Sequence, residues 1–113
     1  SSSFIATCGA IAFAGLKPQL VDVDDDLNID INQIEKKINK RTKAIMPVHL
    51  SGIPANMNAL MKICKKYKLD LIEDAAHAFG TKLDRKSLGT IGDVGVFSLH
   101  PRKNFHVLIR INK

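Results

Sequence analysis

Cysteine occurs only twice in these 113 residues, tryptophan not at all, and aromatics make up 5%. Cys8 and Cys64 lack metal-ligand spacing and have no neighbouring thiols, so neither a zinc site nor a disulfide framework is indicated, and a reducing cytoplasm fits. Long apolar runs are missing as well. The longest, Phe4 to Leu16, is too short to cross a bilayer and has no basic residue before it, which argues against a membrane helix and against a signal peptide. Although the formal charge is +6, no aromatic is interleaved with the densest basic group, which argues against a nucleic-acid surface. The densest cationic group, Lys36, Lys37, Lys40, Arg41 and Lys43, flanks an expected helix end, where cations suit the negative end of the helix dipole. It reads as a solvated face.

What is present is ordinary for a globular α/β chain: 45% apolar and 25% charged residues. Phe4 to Ala14, after a possible serine cap at Ser1 to Ser3, has the small and apolar residues of a helix buried against a sheet, stopped by Gly15. Lys17 to Val23 is expected as a strand running into the acidic turn Asp22 to Asp26. Asp30 with Gln33 resembles a capping box, and Ile31, Ile34 and Ile38 recur on one helical face. Thr42 to Leu50 reads as a strand distorted at Pro47. After the SGIPAN turn, Asn56 caps a helix in which Met57, Leu60, Met61 and Cys64 form an inward stripe. Leu69 to Ile72 and Val94 to Leu99 are two further strands, separated by a loop with at most a small hairpin at Leu83 to Ser87. Helices alternating with strands imply crossover connections and a mostly parallel sheet.

Two strand ends carry the chemistry. One delivers Glu73, Asp74 and, in AAHA, His77; the other delivers Ser98, His100 and Lys103, breaking at Pro101. In a parallel sheet the carboxyl ends share an edge, so a carboxylate, an imidazole, a hydroxyl and an amine can meet in one crevice. Taken singly, each has a plain structural use: Asp74 can cap the next helix, His77 can serve as a local helix cap or in packing, Glu73 can support its strand end, and His49, at a strand end, can face substrate but more commonly has an ordinary structural use.

The stretches IEDAAHAFG (Ile72 to Gly80) and GDVGVFSLHPRKN (Gly92 to Asn104), with SSSFIATCGAIAFAG, VDVD and RTKAIMPVHLSGIPANM before them, resemble the core of the DegT/DnrJ/EryC1/StrS sugar aminotransferases. The resemblance covers nearly the whole chain up to Asn104. It implies a partial large domain of the aspartate-aminotransferase-like, fold type I architecture over residues 1–104, with 105–113 as an atypical truncated tail. It also implies pyridoxal 5′-phosphate as cofactor. Lys103 matches the lysine that holds the cofactor aldehyde and shuttles protons. Asp74 matches the acid on the pyridine nitrogen, His77 a residue beside the ring, Ser98 a hydroxyl on the phosphate, and Phe4 an aromatic stacked on the ring; Thr7 lies in the same region.

The resemblance further implies amino transfer, from glutamate, to a nucleotide-linked keto-sugar by a homodimeric enzyme of polysaccharide or lipopolysaccharide synthesis. Partners are then the nucleotide sugar and the amino-acid donor, with neither nucleic acid nor membrane. After Asn104 the family continues into a glycine-rich turn, whereas this chain reads FHVLIRINK. The alternative is therefore a catalytically inactive remnant or a non-enzymatic interaction fragment of such an enzyme.

Overall fold

The computed structural model describes residues 5–99. The readings made on Ser1 to Ser3, Phe4, His100, Lys103 and the 105–113 tail lie outside the described residues.

The centre is a strand, β2 (Asp70–Asp74), flanked in parallel by β1 (Ala44–Ile45) and β5 (Val94–Val96) in the order β1-β2-β5. Its alternation puts Leu71 and Glu73 on the buried side. On β1 the register runs Ala44 to Asp70 and Ile45 to Leu71; past Pro47, which has no N–H to donate, a parallel bridge from Val48 to Asp74 continues the line. On the other side Ile72, Glu73 and Asp74 face Val94, Gly95 and Val96. Asp93 fastens the start of that pairing, its carboxylate accepting the Leu71 N–H at 2.8 Å. This is the expected parallel α/β sheet.

Helices pack where their caps and stripes direct them. In α2 (Ile31–Lys37) the Asp30 carboxylate accepts the Asn32 N–H at 2.9 Å and the Gln33 side-chain amide at 3.0 Å, so this pair does start a helix. In α3 (Met57–Tyr67) Asn56 accepts the Ala59 N–H at 3.1 Å, and Lys68 closes the end in the left-handed conformation. Both helices meet over β1 and β2 in a core of Ile34, Ile45, Ala55, Met57, Leu60, Ile63, Cys64 and Leu71. At their outer seam Glu35 takes hydrogen bonds from Lys66 and Tyr67, each 2.8 Å. Met61 is not part of the buried stripe; it is 36% exposed, and Ile63 takes the inward place because α3 turns that side to the sheet.

Two further expectations are corrected. Lys17 to Val23 forms no strand: only Val23 bridges, antiparallel, to Ile29 around a turn in which Asp24 accepts the Asp26 and Asn28 N–H groups. That turn satisfies the backbone locally, the Asp22 carbonyl takes the Asp30 N–H, and the Leu20 carbonyl takes the Lys37 ammonium. The first helix, α1 (Ile5–Phe13), does stop at Gly15, whose φ is +76°, but it is not buried against the sheet. Ile5 is 82% and Phe13 98% exposed, and Thr7 is the helix's one buried residue. The small hairpin exists as β3 (Lys82–Leu83) and β4 (Lys86–Ser87), turned by Asp84 and Arg85 at positive φ. Among the described residues no helix is long and apolar enough to cross a membrane.

The two thiols differ sharply. Burial, and then the negative charges of Asp93 and Asp70, push the Cys64 thiol up to about 11, and its S–H points at the Asp70 carbonyl at 3.9 Å. Cys8 is half-buried on α1. A rise of two units above 9.0 leaves about 100-fold less thiolate at pH 8. Iodoacetamide at that pH is expected to alkylate Cys8 and to spare Cys64 until the chain is denatured; mass spectrometry of timed digests reads the difference, and equal rates would contradict this packing.

Candidate functional site

The carboxyl edge of the sheet brings Asp74, His77 and Ser98 to one side because β1, β2 and β5 all run the same way. Asp74 is the last residue of the central strand. Its backbone N–H donates to the Pro47 carbonyl (2.9 Å), and its own carbonyl accepts the His49 N–H (3.1 Å), so its position is set by the neighbouring chain on one side. On the other, Ala75 donates to the Val96 carbonyl at 2.9 Å. The side chain is held as firmly. Oδ1 accepts the Ala76 N–H at 3.1 Å, the local turn that an Asp at a strand end favours, and Oδ2 accepts the Thr7 hydroxyl at 2.7 Å. Asp74 itself is half-buried, a fixed carboxylate at an accessible edge.

Ser98 follows β5 by two residues and is half-buried. His77 is half-buried in the turn after β2, where its carbonyl abuts Gly52 at the end of the short 3₁₀ turn Leu50–Gly52. Asp74, His77 and Ser98 thus share one edge. Phe4 and Lys103 lie outside the described residues. Thr7, which the resemblance only placed in the region, is 67 residues from Asp74 in the chain, so no local spacing announces the contact.

Beneath Asp74, Glu73 is fully buried and saturated with donors. Its Oε1 accepts the N–H groups of Ile91 and Gly92, both at 2.6 Å; its Oε2 accepts Gly89 N–H at 2.8 Å and the His49 ring at 3.0 Å. Because the Ala55 N–H donates to His49 Nδ1 at 3.1 Å, Nε2 carries the ring proton and is the donor to Glu73. Burial alone would push this carboxyl up, but the Gly92 and Gly89 N–H groups, the His49 ring and the Ile91 N–H outweigh it and hold it below the usual carboxylate range. Glu73 and His49 therefore have the supporting role, and neither faces the edge. Among the described residues no cluster of three or more His, Cys, Asp or Glu side chains could hold a metal ion.

An acid locked by two donors, with a hydroxyl on the adjacent strand end, fits a group that carries a basic nitrogen at one end and an anion at the other. Pyridoxal phosphate is such a group.

Residues 1–108 match the profile of the DegT/DnrJ/EryC1/StrS aminotransferase family. The chain is 46% identical over 103 residues to the UDP-N-acetyl-3-dehydro-alpha-D-glucosamine 3-aminotransferase of Acidithiobacillus ferrooxidans, covering 90% of this chain and 28% of that protein. It is 47% identical over 104 residues to the dTDP-4-amino-4,6-dideoxy-D-glucose transaminase of Shigella dysenteriae, covering 91% and 28%. The crystal structure of DesI with its TDP-sugar product superposes with a TM-score of 0.85 at 39% identity, covering 89% of this chain and 26% of that one. The chain thus spans little more than a quarter of the length of the relatives it matches.

Proposed function

The chain belongs to the DegT/DnrJ/EryC1/StrS aminotransferase family, and on that footing we propose that it forms the cofactor-binding core of a pyridoxal-phosphate-dependent aminotransferase acting on a nucleotide-linked keto-sugar. The nucleotide sugars in the names of its relatives support that substrate class. The observation that carries the reading is the Asp74 carboxylate, fixed at the end of the central strand by Thr7 and Ala76.

When bound, pyridoxal phosphate supplies an electrophilic carbon and a ring that accepts the electron pair left by a departing α-proton. Asp74 keeps a proton on the ring nitrogen, since a nearby negative charge favours the protonated form. The Ser98 hydroxyl donates to the phosphate as a short neutral donor. Phe4 would cover one ring face, and His77 would stand beside the ring. Lys103 would hold the group covalently through its amine, and that amine, when free, would carry the α-proton of the glutamate donor. The enzyme so formed works as a cytoplasmic homodimer in the synthesis of surface polysaccharide or lipopolysaccharide.

The test is to incubate the purified protein with pyridoxal phosphate, reduce with borohydride and map the labelled peptide. Label confined to Lys103 and lost in Lys103→Ala is the expected result. Label spread over the other lysines, or no label, would mean that this chain does not assemble the site and would favour the inactive remnant.

A further inference from the structure

The Glu73 carboxylate does more than fill a buried position. Its Gly89 donor sits between the two strand ends: a Cβ on Gly89 would strike the Phe97 ring on one side and come within 3.1 Å of the Ala75 methyl on the other. Ala75 follows Asp74, and Phe97 precedes Ser98. Gly89 also lies backbone to backbone with Gly95, where any added Cβ would overlap the Gly89 carbonyl. The Gly92 donor is seated in the same way against the Leu71 carbonyl, one turn of the pleat before Glu73. One carboxylate thus ties the whole 89–92 turn to the central strand, and that turn is wedged against the residues next to both Asp74 and Ser98. His49 extends the tie to the chain entering α3 through its bond from Ala55.

We propose that Glu73 is a positioning residue for the cofactor site, holding Asp74 and Ser98 in register by fastening the 89–92 turn between their strand ends; this rests on the reading of those two residues given above. The geometry explains why an acid is needed. Glu73 accepts four hydrogen bonds and donates none, a pattern only an ionised carboxylate satisfies. In Glu73→Gln the amide must turn an N–H towards another N–H, either those of Ile91 and Gly92 or those of Gly89 and His49. One side of the turn is then released, with little change in volume.

The experiment compares pyridoxal phosphate affinity, by absorbance titration well below every melting point, for the unsubstituted protein, Glu73→Gln, and whichever of Leu60→Ala and Ile63→Val melts closer to Glu73→Gln. Those two positions lie on α3 and belong to the apolar core. A positioning role predicts binding weakened by about tenfold or more in Glu73→Gln, as misplacement of a site by a fraction of an ångström produces, against about twofold or less in the melting-matched core variant. His49→Gln keeps the three backbone donors on Glu73 and is expected to weaken binding about threefold, so it carries the test if Glu73→Gln does not fold. Equal losses in Glu73→Gln and the core variant, or unchanged binding in both polar variants, would overturn the positioning role while leaving the cofactor reading in place. No binding by the unsubstituted protein would overturn both.

Discussion

Asp74→Asn is expected to leave the chain folded and the label on Lys103 in place, yet to slow amino transfer from glutamate about 10³-fold, the order reached when one preorganised electrostatic partner is removed. The substitution is isosteric. The amide oxygen still accepts the Ala76 N–H, and the Thr7 hydroxyl, which donates to Asp74 Oδ2 at 2.7 Å, can turn round and accept from the new NH₂. Only the charge disappears. On the proposed reading the ring nitrogen would then lose the partner that keeps it protonated, and the electron pair left by the α-proton would have a weaker sink. Single-turnover decay of the bound cofactor's absorbance on adding glutamate measures the step. A variant as fast as the unsubstituted protein would remove Asp74 from the reaction; loss of the label and of the melting transition together would make its role one of folding.

Gly95→Ala is expected to be the most damaging change to the fold. Gly95 lies on β5 opposite Glu73, and an added Cβ would overlap the Gly89 carbonyl and stand 2.7 Å from the Gly89 Cα. Both groups are backbone, so no rotamer relieves the contact. Either β5 leaves its register with β2 or the 89–92 turn lifts away from Glu73, and the cost is about 3 kcal/mol, at the upper end of what overpacking produces. For a domain of this size that corresponds to a fall of roughly 15 °C in melting temperature, read by circular dichroism. Gly9→Ala is the control, because nothing lies within 4 Å of its added Cβ and alanine suits a helix better than glycine; it is expected to melt no lower than the parent. A Gly95→Ala protein that melts with the control would mean that β5 does not pair as described.

Much of this was legible along the chain because it depends on near neighbours. Asp30 and Asn56 cap their helices within three residues, the spacing of Met57, Leu60 and Cys64 marks the inner side of α3, and a small hairpin lies near Leu83 to Ser87, where the loop allowed one. The parallel sheet followed from alternation of helix and strand, and the candidate acid and hydroxyl from their places at strand ends. Where local patterning misled, a partner was missing or elsewhere. Lys17 to Val23 has the composition of a strand but pairs only at Val23, and α1 has the composition of a buried helix but buries only Thr7.

The sequence by itself determined the family resemblance, the α/β order of elements and the residue types at the carboxyl edge, since motif spacing and hydrophobic period are properties of consecutive residues. Only the tertiary structure decided what those residues do to one another. Thr7 reaches Asp74 across 67 positions, and Glu73 gathers donors 16, 18 and 19 residues ahead and an imidazole 24 behind. No pattern announces these bonds, because a buried carboxylate is satisfied by whichever N–H groups the packing of β5 against β2 brings to it.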